Sequence, residues 1–137
     1  MTDAAPDAAA VYRAYVDAET RRDEAAMSAA LAADVAIELN GKSALASADE
    51  DTAAMAALFE AYPDYHREII EIIGEGSRAA ARWRMLGHPR PELAGRLPLI
   101  DIRGCSVVVV EGGRMTEAYV WSPAGVLEEV LALLADR

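Results

Sequence analysis

Over residues 7–20 the apolar and aromatic positions Val11, Tyr12, Tyr15, Val16 and Ala18 recur three and four residues apart, the spacing of one buried helix face. A second helix is predicted over residues 23–33, through Met27 and Leu31. The pattern then switches to alternation over residues 34–39, a short strand, and Asn40-Gly41 supplies a tight turn. The acidic run Asp49-Glu50-Asp51 opens a third helix at its electropositive end, with Met55, Leu58 and Phe59 on one side and Pro63 closing it.

From there the period is that of strands, over residues 65–73, 78–86, 99–111 and 114–121. They are separated by Gly74-Glu75-Gly76, by a proline-containing loop over residues 87–98, and by Gly112-Gly113. Consecutive strands joined this way predict an antiparallel meander. Ser122-Pro123 is expected to cap a last helix with Val126, Leu127, Val130, Leu131 and Leu134 on its apolar face. Helices first and a meander afterwards is an α+β layout in which helices cover one face of a curved sheet and leave a pocket. One domain over residues 1–137 is expected, with residues 1–7 a disordered tail.

The chain is 53% hydrophobic, much of it alanine, and 26% charged, which fits a folded globule. A net charge of −10 argues against nucleic acid and anionic membranes as partners, since both need a basic face. The single cysteine, Cys105, excludes an internal disulfide and is read as a buried reduced thiol. Residues 1–6 lack the apolar core of a signal peptide, and no stretch reaches the length of a membrane span, so a cytoplasmic location is expected. His66 and His88 stand far apart with no ligand cluster around them, so no metal is expected. Gly112-Gly113 precedes no helix, so it is not a phosphate loop, and Ser43 and Ser47 lack a nucleophile-elbow pattern. The run Val107-Val108-Val109-Val110 is apolar on both strand faces, more than the helices of so small a domain can cover, and this predicts a homodimer.

Several runs carry a resemblance across nearly the whole chain: Ala14-Tyr15-Val16, Ala33-Asp34-Val35, Ala61-Tyr62-Pro63-Asp64-Tyr65, Ala81-Arg82-Trp83-Arg84 with Gly87-His88, Asp101-Ile102-Arg103-Gly104, and residues 113–127. In this order the chain resembles the SnoaL-like polyketide cyclases of the nuclear transport factor 2-like superfamily. The resemblance implies a cone-shaped, cystatin-like curved antiparallel sheet around a pocket, and a cyclase that needs no cofactor. It points to Asp101 and His88 as catalytic: in that family a carboxylate takes a proton from a carbon flanked by carbonyls, the carbanion closes a ring on a second carbonyl, and an acid protonates the alkoxide. Such a carboxylate needs an apolar wall that raises its pKa. The implied partner is an apolar or polyketide-like small molecule.

Tyr15 and Trp83 are candidate pocket walls able to stack on a planar substrate, and a buried Tyr15 hydroxyl needs a partner, such as Asp101 or a substrate oxygen. Tyr119 and Trp121 share a strand face with Glu117 that looks either into the pocket or onto a dimer partner. Glu38 and Asn40 alternate onto one face of the short strand. If Glu38 faced Asp101 across the pocket, two carboxylates could open an epoxide, as a hydrolase or as a cyclic-ether-forming enzyme. A non-catalytic binding or assembly module is the third reading, and it would have Asp101 exposed or the pocket filled.

Overall fold

The computed structural model describes residues 7–135; the tail expected over residues 1–7 lies outside them except for Asp7. Asp7 caps the first helix, α1 (Ala8–Arg21), its side chain accepting from the Ala10 amide at 2.8 Å. Asp23 caps α2 (Glu24–Ala29) in the same way. Two strands follow, β1 (Leu31–Leu39) and β2 (Lys42–Leu45), joined by Asn40-Gly41 at positive φ. The third helix is α3 (Ala48–Ala61), with Ser47 as its cap. Strands β3 (His66–Glu75), β4 (Arg78–Gly87), β5 (Ile100–Glu111) and β6 (Arg114–Trp121) then form the meander, and α4 (Val126–Ala135) closes the described chain.

All six strands lie in one sheet of order β2-β1-β6-β5-β4-β3, so the α+β architecture with a helix-covered sheet is as expected. The β1–β6 pairing is parallel and the others are antiparallel. Register shifts at residues 69–71 of β3 and at Thr116 of β6, opposite Val109/Val110, mark bulges, which bend a sheet and increase its twist. The inner face carries Trp83, Met85, Ile100, Ile102, Val108 and Met115, packed against Tyr12, Tyr15 and Val16 of α1. No helix of the described residues is long and apolar enough to cross a membrane.

Three local expectations are corrected. The second helix stops at Ala29 because Leu31 enters β1 opposite Met115 and the Met115 amide bonds to the Ala30 carbonyl, pairing that overrides the alanine-rich helical propensity. Strand β2 is additional, an exposed edge ribbon with no apolar alternation to announce it. The last helix begins at Val126, where the Gly125 carbonyl receives the Glu129 amide, so Ser122-Pro123 is not its cap. Cys105 is free as expected but only half-buried, because its position in β5 points to the outer face.

The tightest backbone approach lies where β5 passes Trp83. A Cβ built on Gly104 would sit 2.4 Å from the Trp121 carbonyl oxygen and 2.6 Å from the Trp83 ring. Neither obstacle is the end of a flexible side chain. Gly104→Ala is therefore expected to destabilise the fold by about 2 kcal/mol. The control Gly95→Ala, whose added carbon meets nothing within 4 Å, should be near neutral. Urea denaturation of both variants checks the difference.

Candidate active site

The interior between the helices and the sheet holds two adjoining lobes. One, of about 80 Å³, is bordered by Tyr12, Tyr15, Asp51 and Ser106 among apolar neighbours. The other, of about 100 Å³, is apolar and lies between α3, α4 and the sheet, bordered by Leu39, Leu45, Leu58, Leu127 and Leu131, with Trp83 in its wall. Ile37, Met55, Arg67 and Val120 border both.

Among the described residues Asp51 is the one carboxylate on either lobe. It sits in the first turn of α3, which a reciprocal cap fixes: Ser47 Oγ accepts from the Glu50 amide at 3.1 Å while the Glu50 carboxylate accepts from the Ala46 amide. The Asp51 amide bonds to the Ser47 carbonyl, so the cap sets where this carboxylate points. The Tyr15 hydroxyl donates to Asp51 Oδ2 at 2.6 Å. Burial pushes the Asp51 carboxyl above its ordinary range, partly offset by the Tyr15 hydrogen bond and by the charge of Arg67. Tyr15 is itself pushed well up, first by burial and then by the nearby acids, so it stays a donor.

Behind this pair lies a second polar group. Arg67, from the inner face of β3, bonds Glu19 Oε2 of α1 at 3.2 Å, the Tyr12 hydroxyl at 2.9 Å and the Tyr65 hydroxyl at 3.3 Å. Glu19 is 1% exposed. Burial pushes its carboxyl up to about 6, outweighing the attraction of Arg67. The Arg67 guanidinium also lies 5.2 Å above the Trp83 ring, whose Nε1–H donates to Ser106 at 2.9 Å.

Of the residues singled out from sequence, Tyr15 borders the polar lobe and Trp83 the apolar one. Asp101 borders neither. It points to the outer face of β5 with its side chain 47% exposed and takes a bidentate pair from Arg84 of β4 at 2.9 and 3.0 Å, which holds its carboxyl below the ordinary range. The apolar wall expected around it is absent, and the partner of Tyr15 is Asp51 instead. His88 stands exposed beyond the end of β4, its Nδ1 and backbone amide both 2.7 Å from the Asp64 carboxylate.

Glu38 faces outward on β1 opposite Tyr119 and does not meet Asp101 across the cavity. Asn40 occupies the turn after β1, with its side chain bonded to Glu128 and to the Ser122 amide. Tyr119 and Trp121 stack on the outer face, where the Tyr119 hydroxyl bonds Glu117. Among the described residues no group of His, Cys, Asp or Glu could hold a metal ion.

Asp51, Glu19, Arg67 and Tyr12 were missed as site residues. The signal for Tyr12 was in hand, since it shares the apolar helix face with Tyr15. Glu19 and Arg67 carry no local signal in the sequence, and Asp51 stands within the acidic run that opens the third helix.

The sequence matches the family model of the SnoaL-like domain over residues 12–118. No curated protein sequence matches it. Among solved structures it is similar to AclR from Streptomyces galilaeus, assigned as a hydroxylase, with a TM-score of 0.72, 19% identity, and coverage of 94% of this chain and 96% of that one. It is similar to a Sinorhizobium meliloti protein assigned as a polyketide cyclase, with a TM-score of 0.65, 21% identity, and coverage of 80% and 92%. An LEH-like epoxide hydrolase from M. tuberculosis gives a TM-score of 0.71 at 17% identity, with coverage of 91% and 90%. At these identities the likeness is one of fold. The family match runs from α1 into β6, over most of the elements that border the two lobes but not α4, and the chain belongs to the SnoaL-like domain family with its nuclear transport factor 2-like fold.

Proposed function

We propose that this protein is an enzyme that works without a cofactor on a small carbonyl compound, with Asp51 as the base that removes a proton from the carbon beside the carbonyl. The observation that carries the reading is the placement of Asp51, the one carboxylate among the described residues lining either lobe, on the wall of a mostly apolar cavity, hydrogen-bonded by Tyr15. The proton passes to Asp51 and the electron pair moves onto the carbonyl oxygen, giving an enolate whose negative charge the nearby Arg67 favours. Where the substrate holds a second carbonyl, the enolate carbon attacks it, a C–C bond closes the ring, and the new alkoxide recovers the proton from Asp51. Asp51 ends as it began, so no outside reagent is consumed. Membership of the SnoaL-like family supports a cyclase of this kind.

Two carboxylates flanking an epoxide would be needed for the hydrolase reading, which the fold likeness to an epoxide hydrolase keeps in view. The second buried acid, Glu19, borders neither lobe and is engaged by Arg67, which favours the one-carboxylate chemistry. A purely binding role would leave a base with a raised pKa without a task.

A generic substrate suffices as a test. In heavy water the protein should accelerate exchange of the α-protons of cyclohexanone, followed by proton NMR. Asp51→Asn should lower that acceleration about a hundredfold or more, while Asp101→Asn should stay within about twofold of the parent. Equal losses in both variants, or a loss only in Asp101→Asn, would return the base to the outer face of β5. Because Asp51 must be unprotonated to act and its carboxyl is pushed up, the rate should rise with pH above the ordinary carboxylate range.

Glu19 gives a stability test of the same electrostatics. Its carboxyl is raised from 4.5 to about 6 in the folded state, so the fold binds this proton more tightly than the unfolded chain does. The resulting stabilisation is complete below pH ~4.5 and is lost as pH climbs through ~6, about 2 kcal/mol in all. Denaturant unfolding across that window should show this decline in the parent, superimposed on a like trend from Asp51 and the opposite trend of Asp64, Asp101 and Glu128, and a smaller decline in Glu19→Gln.

We propose further that the chain forms a homodimer through the outer face of the sheet. Val108, Val109 and Val110 are buried, which leaves the half-buried Val107 on the outer side with Trp121 and Ile70, these two 45% and 46% exposed. Sedimentation velocity at micromolar concentration should show a dimer in the parent and a shift toward monomer in Trp121→Glu; a monomeric parent would remove the proposal.

A further inference from the structure

Two buried donors at the junction of the lobes have no acceptor among the described residues. The Tyr12 hydroxyl, 3% exposed on the wall of the polar lobe, accepts from Arg67 Nη1 at 2.9 Å, and a phenol oxygen that accepts one hydrogen bond still has its own proton to give. The Nε–H of Arg67, which borders both lobes, is also without a partner. Buried donors are normally satisfied, so a pair left open beside a cavity calls for an acceptor that arrives with a ligand. The adjoining guanidinium makes the Tyr12 O–H a stronger donor.

Size limits what that ligand is. The lobes measure about 80 and 100 Å³. An apolar cavity of about 150 Å³ takes benzene, whereas sites for drug-sized molecules begin near 300 Å³. Even taken together, the two adjoining lobes are therefore of one-ring size. Met55 lies between the lobes and is an unbranched side chain that adapts to what it packs against.

We propose that the chamber selects a compact monocyclic or short branched ketone or aldehyde rather than a multi-ring polyketide, with its carbonyl oxygen on the Tyr12 hydroxyl and its hydrocarbon body in the apolar lobe beneath α4. This rests on the same site as the proton-transfer reading and adds the substrate class. The carbonyl end then lies in the lobe that holds Asp51, and the apolar end meets Leu58, Leu127 and Leu131.

The test is a binding titration of the whole chain, read from the methyl signals of Met55 and Leu131 by carbon–proton NMR. Three probes are used: cyclohexanone, methylcyclohexane of nearly the same size, and the tricyclic ketone anthrone. The parent should bind cyclohexanone about tenfold more tightly than methylcyclohexane, the scale of one buried hydrogen bond, and should not bind anthrone. Tyr12→Phe should bring the two monocyclic affinities together while leaving methylcyclohexane unchanged, which also shows that the variant is folded. Ala54→Phe, which fills the apolar lobe, should abolish binding of both. Retained preference for the ketone in Tyr12→Phe, or anthrone binding as tight as cyclohexanone, would overturn the assignment. Asp51→Asn should still bind cyclohexanone. Selective binding by a parent that does not exchange the ketone's α-protons would sink the proton-transfer reading and leave the substrate assignment standing.

Discussion

A charge pair buried inside the cone, Glu19 with Arg67, is the constraint around which the rest is arranged. It joins α1 to β3 with both partners largely out of water. Two such groups are costly to desolvate, and removing one partner of a buried pair typically costs about 3–5 kcal/mol because the other is stranded. The pair is held by hydrogen bonds from the Tyr65 hydroxyl to Glu19 and from Arg67 to Tyr12 and Tyr65, so most of its donors and acceptors are used. What it leaves over is the Nε–H of Arg67, on the cavity side, and Oε1 of Glu19, away from both lobes. The position of Arg67 then sets the charge felt by Asp51, and its bond to Tyr12 sets which way that phenol can give its proton.

The hollow beside this pair follows from residue size. Alanine makes up much of the apolar share of the chain, and Ala44, Ala54 and Ala118 all border the lobes. A core is normally filled to crystal-like density, so small side chains facing large ones across a bent sheet leave room that nothing else occupies. The bulges in β3 and β6 add the bend. A base placed in such a room loses hydration, and the raised pKa of Asp51 is the direct result. Tyr15 and Arg67 pull in the other direction, which keeps that carboxylate usable as a base.

The order of elements was legible because each announced itself by a local period: three and four for α1 and α3, two for β3 to β6. Turn chemistry was legible at Asn40-Gly41 and Gly112-Gly113, where the structure has positive φ at all four residues. What had no local signal was missed. Strand β2 is short and exposed, and the parallel union of β1 with β6 joins residues about eighty positions apart, which no window of sequence contains. The same limit applied to the site. Tyr15 and Trp83 were identified because large rings on a buried face must border something, whereas Asp51, Glu19 and Arg67 become a site only when α3, α1 and β3 converge.

Asp101 shows how a single parity decides chemistry. Along β5 the residues Ile100, Ile102, Ser106 and Val108 face in, so Asp101, one step off, faces out. There it meets Arg84, also outward on β4, at the position diagonal to its direct partner Leu86. A half-exposed carboxylate held below its ordinary range by a bidentate arginine gives up its proton easily and takes one back poorly, the reverse of what carbon deprotonation asks. A helix start offers what this strand position lacks. The first turn of α3 points one acid of its run, Asp51, inward onto Tyr15 while Asp49 and Glu50 remain outside, so a stretch that reads as plain capping charge delivers one carboxylate to the dry side of the fold.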